Sequence, residues 1–360
     1  SITLGLRYGK EEKDFRMMSH ALDGAGNLYN AGNYLTGTYQ GGALVPVISG
    51  SFNEVLPELL AAMGGADPAS LNMAAGTVSR DGDRKDDDIT GMISISHKVD
   101  NGMYFATIST GAKSGGHNGT FGPQTIEERE FDQEKTINYE VGAKLDLLDG
   151  RMRLNTSYFH TVYTDFQAAT FDAATVAFGV ANAGKQTTQG VDVDLTYLIS
   201  ESLSVNAKVE YLDATYNEFD GANCHVAAEV VVDENGCNLS GQTLEFAPEW
   251  AGSISFDYYT DLADGELYAN VINSFKTEHF ADPTRAPFAK EDYVLWNARI
   301  GWRSDSWDIS LWGKNLTDET YGRVYNGNLI ANFVGDKALD HRVYLNDPMT
   351  AGVTVRYSFY

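Results

Sequence analysis

The residues able to do chemistry in this sequence are few and poorly spaced for it. Cys224 and Cys237 are too few for a metal cluster or a disulfide scaffold, yet they lie close enough for one bridge. A free, buried pair is the alternative. The bridge is expected because the surrounding connection reads as lying outside a reducing cytosol, and it would contribute about 3 kcal/mol in the chain-entropy account. Asp81, Asp83, Asp86, Asp87 and Asp88 run together around Gly82. Their carboxylates are hard oxygen ligands, but the spacing is not that of an EF-hand, so a solvated acidic loop is expected. Seven histidines, at positions 20, 97, 117, 160, 225, 279 and 341, never reach metal-ligand spacing. No metal and no cofactor is assigned. The GxSxG, HExxH and strand-to-helix GxGxxG patterns are missing, and Gly111 to Ser114 only echoes a phosphate loop. Catalysis has no candidate, and the chain is not expected to be an enzyme.

Composition narrows the remaining classes. The 360 residues carry 26 Lys plus Arg against 50 Asp plus Glu, a formal charge of −24 that repels a phosphate backbone and argues against nucleic-acid binding. With 43% apolar and 21% charged residues the chain is expected to fold. Twenty Tyr, 17 Phe and 36 Gly against 8 Pro favour strands joined by turns. The longest uncharged stretch, Gly24 to Asn53, is interrupted by polar residues and Pro46 and does not read as a membrane helix. Ser1 already stands inside a strand pattern with no leader before it, so the sequence is read as part of a longer gene product.

Alternation of period two runs from end to end and supplies the elements. Val191, Val193, Leu195, Tyr197 and Ile199 share one face against Asp192, Asp194 and Thr196. Val294, Trp296, Ala298, Ile300 and Trp302 oppose Asn297, Arg299 and Arg303 in the same way. Such runs predict about twelve strands, over 2–16, 89–98, 102–112, 135–147, 151–168, 175–199, 202–217, 249–260, 265–279, 291–303, 306–316 and 350–359. The segment 175–199 is read as one strand, bent or bulged at Asn182, Gly184 or Gly190.

Connections alternate in length. Tight turns fall at Asp100-Asn101-Gly102, Asp149-Gly150, Ser200-Glu201 and Ser304-Asp305, with a slightly longer one from Asp261 to Gly265. Longer connections fall at 17–88, 113–134, 169–174, 218–248, 280–290 and 317–349. In the longest, Ser51 and Glu54 have capping-box spacing ahead of Val55, Leu56, Leu59, Leu60 and Met63, and a second short helix is expected over 67–75. Short turns on one rim and long loops on the other is the layout of an all-β, antiparallel transmembrane β-barrel. Tyr8, Tyr163, Trp250, Trp302 and Trp307 lie near strand ends, where aromatic girdles sit, and the charged faces suit a hydrated lumen. A soluble β-sandwich shows the same alternation with its apolar face inward and is the competing fold.

Several stretches resemble one family. NAGKQTTQG from Asn182 to Gly190, followed by VDVDLTYL, resembles the late-barrel pattern of TonB-dependent outer-membrane receptors. Asn138 to Gln167, Trp312 to Arg323, Ala351 to Phe359 and the opening ITLGLRYGKEEKDF are similar to strands of that family. The resemblance covers most strands and leaves the long loops unmatched. It implies a plugged barrel of about 22 strands, of which residues 1–360 would be the C-terminal portion, with the plug domain and first strands absent. A native twelve-stranded barrel is the structural alternative.

The resemblance also implies a role. The protein would sit in outer-membrane lipid with its long loops extracellular and its C-terminus periplasmic, and take up a scarce ligand, foremost a ferric siderophore. Energy would come from TonB-ExbB-ExbD through the missing N-terminal region. A passive porin-like channel and a secreted β-sandwich binding protein are the alternative functions. Val353, Val355, Tyr357 and Phe359 resemble the terminal signal read by the barrel assembly machinery, with Tyr360 displacing the aromatic from the last position. Arg285, Arg323, Tyr325, Arg342 and Tyr344 are the candidates to meet an anionic, catechol-bearing complex through charge and stacking.

Overall fold

A helix would spread these alternating residues around its whole circumference, whereas a strand keeps each class on its own face. The computed structural model describes residues 1–19, 36–40, 43–47, 78–119, 127–172, 177–222, 224–225, 228–233, 236–327 and 341–359. Its main body is one antiparallel sheet of 12 strands. The strands are β1 Ile2–Ser19, β2 Val78–Val99, β3 Gly102–Lys113, β4 Glu134–Leu147, β5 Met152–Asp172 and β6 Ala177–Leu198. They continue as β7 Leu203–Glu218, β8 Trp250–Leu262, β9 Gly265–Phe280, β10 Lys290–Arg303, β11 Trp307–Lys314 and β12 Thr350–Tyr357. Each pairs with its neighbours in the chain, so the sheet is a meander whose edges are β1 and β12. All twelve expected strands are present, and 175–199 is indeed a single strand, with a register shift between Lys185 and Gln186.

The short connections gather at one rim. Leu148 and Asp149 take φ of 54° and 56° before Gly150, and Ala263 takes 58° in the two-residue turn between β8 and β9, the backbone that tight hairpins need. Gly102, at φ 145°, starts β3 where a Cβ would lie 2.0 Å from the Lys144 carbonyl oxygen, so that close approach requires glycine.

Register carries the parity of side chains across the sheet. Arg153, Asn155 and Ser157 of β5 stand opposite Thr196, Asp194 and Asp192 of β6, which stand opposite Asn206, Lys208 and Glu210 of β7. This side of the sheet is polar. The other side is apolar and bare: Leu6 is 82% exposed, Ile300 49%, Val353 67% and Val355 58%. Fully burying such a side chain is worth about 1.5–3 kcal/mol, so an extended row of them demands an apolar medium. Among the described residues the buried apolar clusters lie at the long-connection rim, around Tyr216, Phe219 and Leu239 and around Ala281, Ala286 and Ala289. A sandwich would have stacked Ile300 and Val355 against a second sheet, and that competing fold is thereby set aside.

Four expectations need correction. The first long connection is shorter than 17–88, because β1 and β2 pair continuously as far as Ser19 and Val78. The acidic run therefore lies on a strand, not in a loop, and Arg84 engages Asp86 there at 2.9 Å. Pairing of Ala177 with Asp172 likewise narrows the connection expected over 169–174. Tyr163 does not join an outer girdle: it pairs with Thr136 and Gln186 on the polar side and meets Phe166 edge-on at 6.3 Å. The two helices expected at 51–64 and 67–75 lie outside the described residues. Two-stranded ribbons within the long connections, such as Val231–Asp233 with Gly236–Asn238 and Gly322–Gly327 with His341–Leu345, were not anticipated.

Candidate ligand-facing site at the inner wall and loop rim

Strand alternation sends every second side chain to the inner wall, where charges are held by neighbours across the ladder. Asp257 accepts from Asn206 Nδ2 at 3.0 Å and Asn270 Nδ2 at 2.6 Å. Lys208 stands 3.4 Å from Asp194, and Arg303 lies 2.6 Å from Glu266. A cavity of about 720 Å³ opens on this wall, lined among others by Glu140, Lys144, Asp192 and Lys208. Its lining sets these charges beside Met103, Phe105 and Ala143, so it can hold water and a polar solute with an apolar part.

At the long rim, the connection between β7 and β8 folds on itself. Cys224 and Cys237 are joined in a disulfide with their Cα atoms 6.1 Å apart. Cys237 packs with Phe219, Ala222 and Leu239, so the bridge sits in a small apolar cluster. The connection between β9 and β10 leans on it through Arg285. That guanidinium donates to the Thr243 carbonyl oxygen at 2.6 Å, to Glu245 Oε1 at 2.8 Å and to Gln242 Oε1 at 3.3 Å, and it lies 4.3 Å from the Phe280 ring centre. Glu245 accepts also from Tyr216 Oη at 2.9 Å.

The connection between β11 and β12 starts at Asn315, whose side chain donates to the Glu319 and Asp347 carbonyl oxygens at 2.8 and 3.1 Å and accepts from the Glu319 N–H at 2.9 Å. This asparagine belongs to the WGKNLTDETYGR stretch and serves as the clasp of that loop. Above it, Tyr293 and Tyr321 stack at 4.4 Å. Tyr325 donates to Glu291. Burial, reinforced by that carboxylate, holds the Tyr325 phenol above its ordinary range, so it stays protonated and remains a donor at neutral pH.

The described parts of the connection between β3 and β4, 114–119 and 127–133, form a strap riveted by amide side chains that imitate strand pairing. Asn118 donates to the Val180 carbonyl oxygen at 2.8 Å and accepts from its N–H at 2.7 Å. Asn182 does the same to Asp132, at 2.9 and 2.6 Å. Gln167 Nε2 reaches the Ser114 and Asp132 carbonyl oxygens at 2.9 and 3.0 Å. On the other side Arg84 reaches Glu130 and Asp132, Lys13 donates to Gly115, and Phe15 stacks on His117. In the sequence Asn182 reads as a possible bend in a strand and as the start of the NAGKQTTQG stretch, and neither announces this contact. Asn182→Ala is expected to raise amide exchange at Asp132 severalfold, since a hydrogen bond at a solvent-accessible site contributes a net of about 0.5–1.5 kcal/mol; hydrogen-exchange mass spectrometry with no change there would show that the rivet lies elsewhere.

With this geometry in place, relatives can be compared. The family model described as TonB dependent receptor-like, beta-barrel matches residues 1–316. The chain belongs to that family. TonB-dependent receptor barrels are outer-membrane proteins, and the family consists of transport receptors rather than enzymes. Among curated relatives, this receptor barrel is 21% identical over 284 residues to the pesticin receptor of Yersinia pestis, covering 78% of this chain and 37% of that protein. It is 29% identical over 207 residues to the metal-pseudopaline receptor of Pseudomonas aeruginosa, covering 56% of this chain and 26% of that protein. Among solved structures, it is similar in fold to the ferric yersiniabactin uptake receptor of Yersinia pestis, with a TM-score of 0.61, 19% identity, and 79% and 40% of the two chains covered. The siderophore receptor of Acinetobacter baumannii gives 0.57, 18%, 81% and 38%. The receptor barrel thus spans well under half the length of these relatives.

The five residues singled out for ligand contact take different positions on the barrel. Arg285 is 4% exposed and committed to the partners above, and Tyr325 is 8% exposed and committed to Glu291. Arg323 is exposed and makes no side-chain hydrogen bond or ion pair among the described residues. Tyr344 is 54% exposed on the same ribbon, where the backbone of Arg342 pairs with Asn326. Arg323, Tyr325, Arg342 and Tyr344 thus share one ribbon, and Arg285 belongs to a separate loop contact. Among the described residues no group of His, Cys, Asp and Glu is placed to hold a metal ion.

Proposed function

We propose that this chain is wall and loop rim of an outer-membrane receptor that takes up a scarce small ligand, with a ferric siderophore as cargo. The observation that carries the reading is the opposite polarity of the two sheet faces, with every long connection gathered at one rim. Lipid takes the apolar face and the ligand's path follows the polar one. The long rim is extracellular, which puts the C-terminus on the periplasmic side. Val353, Val355, Tyr357 and Phe359 then form the outward edge read by the barrel assembly machinery, and energy comes from TonB with ExbB and ExbD. The roles of these relatives, uptake of ferric yersiniabactin and reception of a siderophore, support this cargo class. At the rim, Arg323 and Tyr344 meet the ligand together with Arg342, by charge and stacking. Arg285 and Tyr325 hold the loops that present them.

The test is growth of the producing bacterium with single ferric siderophores as the sole iron source. Deleting the full-length gene is expected to abolish growth on at least one of them, the intact gene to restore it, and a protonophore to block its uptake. Equal uptake by deletion and parent strains on every siderophore would overturn the cargo assignment.

A further inference from the structure

Beneath the strap of residues 114–119 and 127–133 the inner wall opens into a second cavity, of about 740 Å³, at the β1–β3 end of the sheet. That is the size of a small-molecule site. Arg7, Lys10, Lys13 and Lys113 line it against Glu11 and Asp88, four cations to two acids in a chain of formal charge −24. Part of this set is already spent. Lys10 pairs with Glu12 at 2.8 Å, and Lys13 is shared between Glu11 at 3.2 Å and the Gly115 carbonyl oxygen at 2.7 Å. The side chains of Arg7, Lys113 and Asp88 make no hydrogen bond or ion pair among the described residues.

Two unspent cations and one unspent acid in a single cavity define a complementary molecule. Carboxylates would meet Arg7 and Lys113, and a hydroxyl between them would donate to Asp88. The strap fixes the cavity's mouth, because Ser114 is bonded to Glu11 and Gln167 holds the Ser114 carbonyl oxygen. We propose that this cavity is an inner-wall station for a hydroxycarboxylate group of the cargo, reached after the loop rim. The assignment rests on reading the chain as the wall of an uptake receptor.

The test is calorimetric titration of the purified full-length receptor with citrate, and with tricarballylate, which has the same carboxylates and lacks the hydroxyl. Citrate is expected to bind, and to bind at least about tenfold more weakly to R7Q/K113Q, which removes both charge-assisted partners. R7K keeps the charge but not the planar fork, and is expected to bind citrate more weakly than the parent and more tightly than R7Q/K113Q. D88A, which leaves no acceptor for the hydroxyl, is expected to remove the preference for citrate over tricarballylate. Heat-modifiable migration on gels confirms that each variant is a folded barrel. Failure of citrate to bind the parent, or equal affinity in R7Q/K113Q, overturns the station. If citrate binds as expected while no ferric siderophore is taken up, the transport reading fails and the station stands; uptake without citrate binding gives the reverse.

Discussion

Leu311→Arg is expected to reduce the amount of assembled barrel about tenfold or more, while Thr354→Arg leaves it nearly unchanged. Leu311 is 57% exposed on the apolar side of β11, opposite Ile300 and Val353. An arginine on the lipid face near the bilayer midplane costs about 2–4 kcal/mol, and about 1.4 kcal/mol is already a factor of ten. Thr354 stands beside Ser310 on the opposite, polar side, where water solvates a guanidinium. The measurement is heat-modifiable migration of the full-length receptor recovered from outer membranes. If both variants assembled alike, the apolar side of the sheet would not face lipid.

Arg285→Met is expected to release two loops at once. It strands the Glu245 carboxylate, whose side chain is 8% exposed, and removes the donor from the Thr243 carbonyl oxygen. Breaking one partner of a buried pair costs about 3–5 kcal/mol, so amide exchange over 239–249 and 281–289 is expected to quicken about a hundredfold. Adding Glu245→Gln, which removes the stranded charge, is expected to restore most of the protection. Unchanged exchange in Arg285→Met would mean that the guanidinium does not hold these loops and is available to a ligand.

The wall of this molecule was legible from its residues because alternation reports which side of a strand each residue faces, and lipid punishes errors in that pattern. All twelve strands followed from it, as did the short turns. Strand ends were less legible: Lys85 and Asp87 look like loop residues, yet they pair with Glu12 and Lys10 across β1 and β2 because the ladder, not hydrophobicity, holds them. Tyr163 shows the converse, since nearness to a strand end does not say which side an aromatic faces; only its parity with Asn155 and Ser157 does. The rim was the least legible part. Nothing local to Arg285 announces Glu245, which lies 40 positions away, and the pairing of Asn182 with Asp132 spans 50. Such contacts are set by how loops fold over one another, and period-two patterning carries no information about that.

The tight turns leave the long rim unusually free to diversify. Five of the eleven links between strands are short, so each hairpin fixes its own register locally. The other links range from the 58 residues between Ser19 and Val78 to the 4 between Asp172 and Ala177. Closing the longer costs only about 2.4 kcal/mol more, because the entropy of bringing chain ends together grows with the logarithm of length. Insertions on that side are therefore thermodynamically cheap, and descendants of such a scaffold can lengthen or trade loops while the wall stays as it is.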